Sequence, residues 1–319
     1  MQARTSVLGK GCDLGLKGVD TRVTIAGVSL KNPVTVASGT FSAKDSGRFY
    51  DVSRLGAVAT KGVSYEAWDG NETPRIAESY GGMLNSIGLQ NPGVDKYIEE
   101  ELTFARDFNI PVIANVAGKS VLEYCRVVEK LNETDVAMLE INISCPNIKE
   151  GGISFGTDAR MAAELTWEIK KVARKPIILK LTPNVTDITE IAKAVESAGA
   201  DCISLINTLL AMRIDVMTGK PVLTNIFGGL SGPAIKPVAV RMVYQVRRAV
   251  KAPIIGMGGI ISAEDAAEFL MAGADAVAVG TASLINPTAP ADILDGLEKF
   301  MYERGFKNIE ELKSAFREG

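Results

Sequence analysis

The chain contains no histidine. The side chain that ordinarily moves protons near neutral pH is missing, so any proton transfer falls to a thiol, lysine, tyrosine or carboxylate. The four cysteines, Cys12, Cys125, Cys145 and Cys202, are scattered with no C-x-x-C pair. That spacing indicates neither a disulfide framework nor a zinc, iron–sulfur or other metal site. No run of like charges marks a tail, and a net charge of -3 argues against nucleic acid as a partner. No apolar stretch approaches the ~20 residues that span a bilayer. Met1 to Leu16 has neither a signal-peptide apolar region nor an amphipathic anchor. A cytoplasmic protein without membrane contact is the expectation. No G-x-G-x-x-G follows the first apolar run, which speaks against a nicotinamide-binding Rossmann site.

What is present is a large apolar fraction, 46% of 319 residues, enough for one core of barrel size. Eight short β-branched runs alternate with amphipathic segments: Val34–Ala37, Ala57–Thr60, Val112–Val116, Met138–Ile143, Ile177–Leu181, Cys202–Ile206, Ile254–Met257 and Ala276–Val279. Their continuous apolar character is that of parallel strands buried on both faces. Between them, Asp187–Ala198 carries Ile188, Ile191, Ala192 and Val195 at helical spacing, with Gly199 as its stop. Ser262 caps another such segment, which ends at Gly273. Ala198-Gly199-Ala200-Asp201 and Ala272-Gly273-Ala274-Asp275 repeat the same helix-to-strand junction. A doubly wound open sheet uses the same units, but eight strands favour a closed (β/α)8 TIM barrel. Three connections, Lys61–Ile110, Ser144–Thr157 and Asn207–Pro233, are long; in a barrel they rise at the C-terminal face, where function sits. The last reads as containing a hairpin, with arms Arg213–Val216 and Val222–Thr224 around Thr218-Gly219-Lys220.

The predicted strands end in polar groups or glycines: Ser38, Lys61, Asn115, Asn142, Lys180, Asn207-Thr208, Gly258-Gly259 and Gly280-Thr281. A barrel brings such ends to one pocket. Glycines after the seventh and eighth strands suit a phosphate, although each alone also suits an ordinary tight turn. Lys180 lies within an apolar run and requires an anionic partner or a shifted pKa, unless it snorkels out at the strand end. A ring that becomes anionic on reduction would be such a partner. The amides of Asn85 to Gly93, with Asn142 and Asn207, suit a flat ligand such as a pyrimidine; turn-forming asparagines are an equal reading of them alone. Cys145, in Asn142-Ile143-Ser144-Cys145-Pro146-Asn147, sits on a loop beside polar groups and is the leading proton acceptor. Cys12, Cys125 and Cys202 read as small apolar residues.

At these residues the chain resembles the class 1 dihydroorotate dehydrogenases, flavin-containing barrels of pyrimidine biosynthesis. The resemblance rests on Asn142–Asn147 together with Asn85-Ser86-Ile87-Gly88-Leu89 and the two glycine loops, and it runs from about Val23 to the last helix. Lys149 to Thr157 is similar to the NAD-linked subtype (class 1B) rather than the fumarate-linked one. A dihydropyrimidine dehydrogenase-like flavin barrel and a fumarate-linked class 1A dihydroorotate dehydrogenase are the alternatives.

The resemblance implies one FMN per chain, with Ala37, Ser38, Lys61 and Gly62 at the first two strands and Asn115, Asn142, Lys180 and Ile206 at the next four. Gly232, Gly258, Gly259, Gly280 and Thr281 complete that implied site. It further implies that dihydroorotate is held by Lys61, Asn85, Ser86, Ile87, Gly88, Leu89, Asn142, Asn207 and Thr208, with Cys145 as the base. The implied partner is an electron-transfer subunit bearing FAD and a [2Fe–2S] cluster, around a homodimeric core of a heterotetramer. Residues 1–20 form an extension of unassigned role, and 21–319 a single FMN-binding barrel domain.

Overall fold

A computed structural model describes residues 18–144 and 155–318. Eight parallel strands form one sheet: β1 (Val34–Val36), β2 (Val58–Ala59), β3 (Val112–Val116), β4 (Met138–Asn142), β5 (Ile177–Lys180), β6 (Cys202–Leu205), β7 (Ile254–Met257) and β8 (Ala276–Val279). Each falls within a run expected from the sequence. They follow chain order around the sheet, and β8 pairs with β1. Between β1 and β2 the Gly56 N–H donates to the Val34 carbonyl at 3.0 Å, nearly closing the ring. The fold is a (β/α)8 barrel.

Side-chain alternation divides the strands into two apolar layers. Outward residues such as Leu139, Ile141, Leu179 and Val277 pack under the helices in the main core. Inward residues, among them Ile113, Met138, Ile178, Cys202, Ile255 and Ala276, form a second cluster with Ile25 and Leu30. The last two belong to a hairpin, Val23–Ile25 with Val28–Leu30, that plugs the N-terminal end of the barrel. Cys202 is thus a packing residue, and its burial pushes the thiol pKa well up. Cys125 is half-buried on helix Val121–Asn132, while Cys12 and Cys145 lie outside the described residues.

The expected helix signals are realised. Asp187 caps Ile188–Ser197 by accepting from the Thr189 N–H, and Ser262 and Asp265 form a reciprocal capping box on Ala263–Met271. Gly199 and Gly273 follow these helices at φ +104° and +107°, conformations open to glycine.

Two long connections hold more structure than their sequences suggested. Lys61–Ile110 contains paired strands Ile76–Ser79 and Gly82–Asn85 and a helical stretch from Val94 to Arg106. In Asn207–Pro233, strands Leu209–Met212 and Phe227–Ser231 join that pair as a four-stranded antiparallel sheet. The expected hairpin is present, but its second arm is Lys220–Pro221 rather than Val222–Thr224. Asp215 closes the turn: its carboxylate accepts from the Met217 N–H and the Thr218 hydroxyl, and the second arm begins two residues earlier than expected. No helix among the described residues is long and apolar enough to cross a membrane.

Candidate active site

Two adjoining cavities open at the C-terminal ends of the strands, about 370 Å³ and about 550 Å³. The first is walled by the ends of β1, β2 and β4–β8, and the second by the antiparallel sheet and the ends of β4 and β6. Asn85, Ile87, Leu89, Asn142, Asn207 and Thr208 border both. Of the expected cofactor residues, Ala37, Ser38, Lys61, Asn142, Lys180, Ile206, Gly232, Gly258, Gly259, Gly280 and Thr281 line the first cavity. Gly62 and Asn115 do not; a Cβ on Gly62 would sit 2.6 Å from the Asn115 Oδ1, so the two are packed against each other behind the wall. Of the expected substrate residues, Ser86 and Gly88 line only the second cavity and Lys61 only the first.

The glycine loops form a tight cradle. Gly258 and Gly259 have φ of +128° and +81°, and a Cβ on Gly259 would lie 2.8 Å from the Gly232 carbonyl oxygen. The approach of these backbones leaves room for nothing larger than glycine. Asp265 holds the loop in place: its carboxylate accepts the Ile261 and Ser262 N–H groups at 2.9 and 3.0 Å and Lys236 Nζ at 2.7 Å. Burial raises the Asp265 pKa, but the Lys236 and backbone hydrogen bonds together outweigh it and hold the carboxyl below the usual range. Thr281 Oγ1 donates to Ser231 Oγ at 2.8 Å, joining the β8 loop to the antiparallel sheet.

Beneath the first cavity lies a polar layer inside the barrel. Lys180 is 5% exposed, and its Nζ donates to Ser38 Oγ at 3.1 Å and lies 3.6 Å from Glu140 Oε2. Glu140, 3% exposed, also accepts from Ser204 Oγ at 2.8 Å and Asn115 Nδ2 at 2.5 Å. The anionic partner that Lys180 requires is therefore this carboxylate. Sequence reasoning missed Glu140 because it took Met138-Leu139-Glu140-Ile141 as a uniformly apolar strand. A second charge in a buried strand next to the Lys180 strand was the available signal. Asn115 Oδ1 is buried without a hydrogen-bond partner among the described residues.

The amides meet where the cavities join. Asn142 Oδ1 accepts from Ser144 Oγ at 2.6 Å and faces Asn207 Nδ2 at 3.5 Å, while Asn207 Nδ2 also donates to Ser144 Oγ. The buried Tyr124 hydroxyl donates to the Asn142 carbonyl at 2.7 Å and fixes the end of β4. Asn225 Nδ2 donates to Ser86 Oγ at 3.1 Å across the second cavity's wall. Just after β2, burial pulls the Lys61 pKa down and the Glu101 charge partly restores it. Burial likewise raises the Glu101 carboxyl, against the pull of the Lys61 backbone N–H and ammonium.

Fold and site together define a (β/α)8 barrel with a glycine-cradled cavity beside an amide-lined one, with the buried Lys180 and the half-buried Lys61 on the wall of the first. The profile of the dihydroorotate dehydrogenase family matches residues 21–301, and the chain belongs to that family. It is 58% identical to the "dihydroorotate dehydrogenase B (NAD(+)), catalytic subunit" of Alkaliphilus metalliredigens over 298 residues, 93% of this chain and 99% of that one. The proteins of the same name from Lachnoclostridium phytofermentans and Petrotoga mobilis are 59% and 51% identical, over 92% of this chain and 98% and 99% of theirs.

Proposed function

We propose that this chain is the catalytic subunit of an NAD-linked dihydroorotate dehydrogenase, a cytoplasmic enzyme of pyrimidine biosynthesis. The observation that carries the reading is the pair of adjoining cavities that share Asn142 and Asn207, one cradled by glycines and floored by Lys180, the other lined by amides. Family membership and the relatives' names support it. Residues 21–319 then form one FMN-binding domain.

The first cavity fits FMN by its chemistry. Backbone around Gly258, Gly259, Gly280 and Thr281 suits the phosphate, Lys180 suits an electron-rich ring, and Asn115 Oδ1, without a partner among the described residues, lies in the polar layer beneath. FMN, when bound, supplies a two-electron acceptor for the hydride that leaves C6 of dihydroorotate. The chain's own residues do the rest. Lys61 pairs with the substrate carboxylate. Asn85, Asn142 and Asn207 orient the ring through its N–H and C=O groups. Cys145, directly after Ser144 in sequence, takes the C5 proton as thiolate, so the C5–C6 double bond forms as one proton and one hydride depart. Lys180 holds positive charge where electron density collects.

The phrase "catalytic subunit" in the relatives' names points to a second subunit in those proteins. For this chain we assign that role to an electron-transfer subunit carrying FAD and [2Fe–2S], which passes electrons to NAD from a homodimeric catalytic core. The test is anaerobic mixing of the FMN-loaded chain with dihydroorotate. The yellow colour bleaches in the wild type. Cys145→Ser keeps the colour and bleaches at least ~100-fold more slowly, within the usual contribution of a general base. Equal bleaching in both proteins removes the thiol from its role, and a chain that takes up no FMN overturns the reading.

A further inference from the structure

We propose that Glu140 is a positioning residue that sets the charge Lys180 presents to the ring bound above it, and so tunes the reduction potential of the flavin. The inference rests on the flavin reading of the first cavity. Lys180 lines that cavity and Glu140 lines neither, so Glu140 acts through the lysine. Three strands converge on its carboxylate: Asn115 from β3, Ser204 from β6 and Lys180 from β5. The parallel registers bring them level, with Asn115 opposite Glu140 and Ser204 opposite Lys180.

The geometry distinguishes this pair from a simple surface ion pair. Both side chains are almost fully buried, where screening by water is weak and charges act at full reach. The 3.6 Å separation from Oε2 is longer than a direct hydrogen bond, and the nearer Nζ contact is Ser38 Oγ at 3.1 Å. Glu140 therefore counterbalances the ammonium from below without occupying its cavity side. A lone buried cation beside the ring would draw electrons in and hold them. With the carboxylate behind it, the local charge sums to zero, and a flavin reduced by substrate can pass its electrons on.

Glu140→Gln removes the charge and keeps the shape. Its amide oxygen keeps the Asn115 Nδ2 hydrogen bond, and its new N–H turns toward Ser204 Oγ, a hydroxyl that can accept as well as donate. The experiment is a spectroelectrochemical titration of FMN in the wild type, Glu140→Gln, Lys180→Gln and the double variant. Glu140→Gln is expected to favour the reduced flavin by tenfold or more, about 30 mV for a two-electron couple. Lys180→Gln shifts the equilibrium the other way, and the double variant returns toward the wild type. Single-turnover reduction by dihydroorotate is faster in Glu140→Gln and reoxidation slower. If Glu140→Gln fails to load flavin, the comparison of Lys180→Gln with the double variant asks the same question, and the double variant must have the higher potential. Flavin-loaded variants with the wild-type potential overturn the role of Glu140. A wild type that binds no FMN overturns instead the reading on which it rests.

Discussion

Asp201 and Asp275, 74 positions apart in the chain, make the same contacts at the start of alternate strands. The backbone N–H groups of Asp201 and Asp275 donate to the carbonyls of Ile177 and Ile254 at 3.0 and 2.8 Å. Their Oδ2 atoms accept the N–H groups of those same residues at 2.9 and 2.8 Å. A lysine closes each arrangement, Lys170 at 2.5 Å and Lys313 at 2.6 Å. The repeated Gly-Ala-Asp is therefore a clamp that starts one strand and anchors its neighbour.

Replacing either aspartate by asparagine keeps the shape and removes the charge. Each change is expected to lower stability by about 1.5–3 kcal/mol, the range for a hydrogen bond to a charged group. Asp275→Asn costs more, because the Asp275 side chain is 19% exposed against 32% for Asp201. Urea midpoints of the two variants check the order, and midpoints equal to the wild type refute the clamp.

Asp265 makes the glycine loop sensitive to acid. Its folded-state pKa is depressed, so the folded protein binds this proton less readily than the unfolded chain. The stabilisation is present above the ordinary aspartate value near ~4 and is lost as pH falls through the depressed folded value. The stability gap between wild type and Asp265→Asn is expected to be constant near neutrality and to close below about pH 4. Thermal melts of both proteins across that range test it; a gap that widens on acidification contradicts the assignment.

The carboxylate-binding role proposed for Lys61 can be tested against its cost in stability. Burial depresses its pKa, so the stability it contributes is present above the ordinary lysine range and lost as pH falls through the folded value. Below that value the folded protein carries a poorly solvated charge that an incoming carboxylate relieves. Lys61→Met is expected to melt no lower than the wild type while weakening orotate binding by about 10–100-fold, the worth of a charged hydrogen bond. Calorimetric titration with orotate checks the affinity. Undiminished binding places the carboxylate elsewhere.

The barrel was legible because strands buried on both faces must be apolar throughout, as in Ile254–Met257 and Ala276–Val279. Capping chemistry was equally readable at Asp187 and Ser262, since a cap is made by residues within three positions of each other. The antiparallel sheet beside the second cavity was not. It pairs Asn85 with Gly229 across 144 positions, and neither segment has an apolar pattern strong enough to declare a strand alone.

Chain order and local chemistry by themselves determined eight strands, their helical returns and the polar groups at the strand ends, because each depends on neighbours close in sequence. Only the tertiary structure decided what those groups face. It set Glu140 behind Lys180, packed Gly62 against Asn115 behind the cavity wall, and divided the strand ends between two cavities. The reason is geometric: strand register and barrel closure fix which side chains from distant segments share a dry interior, and that pairing leaves no trace in the spacing of any one segment.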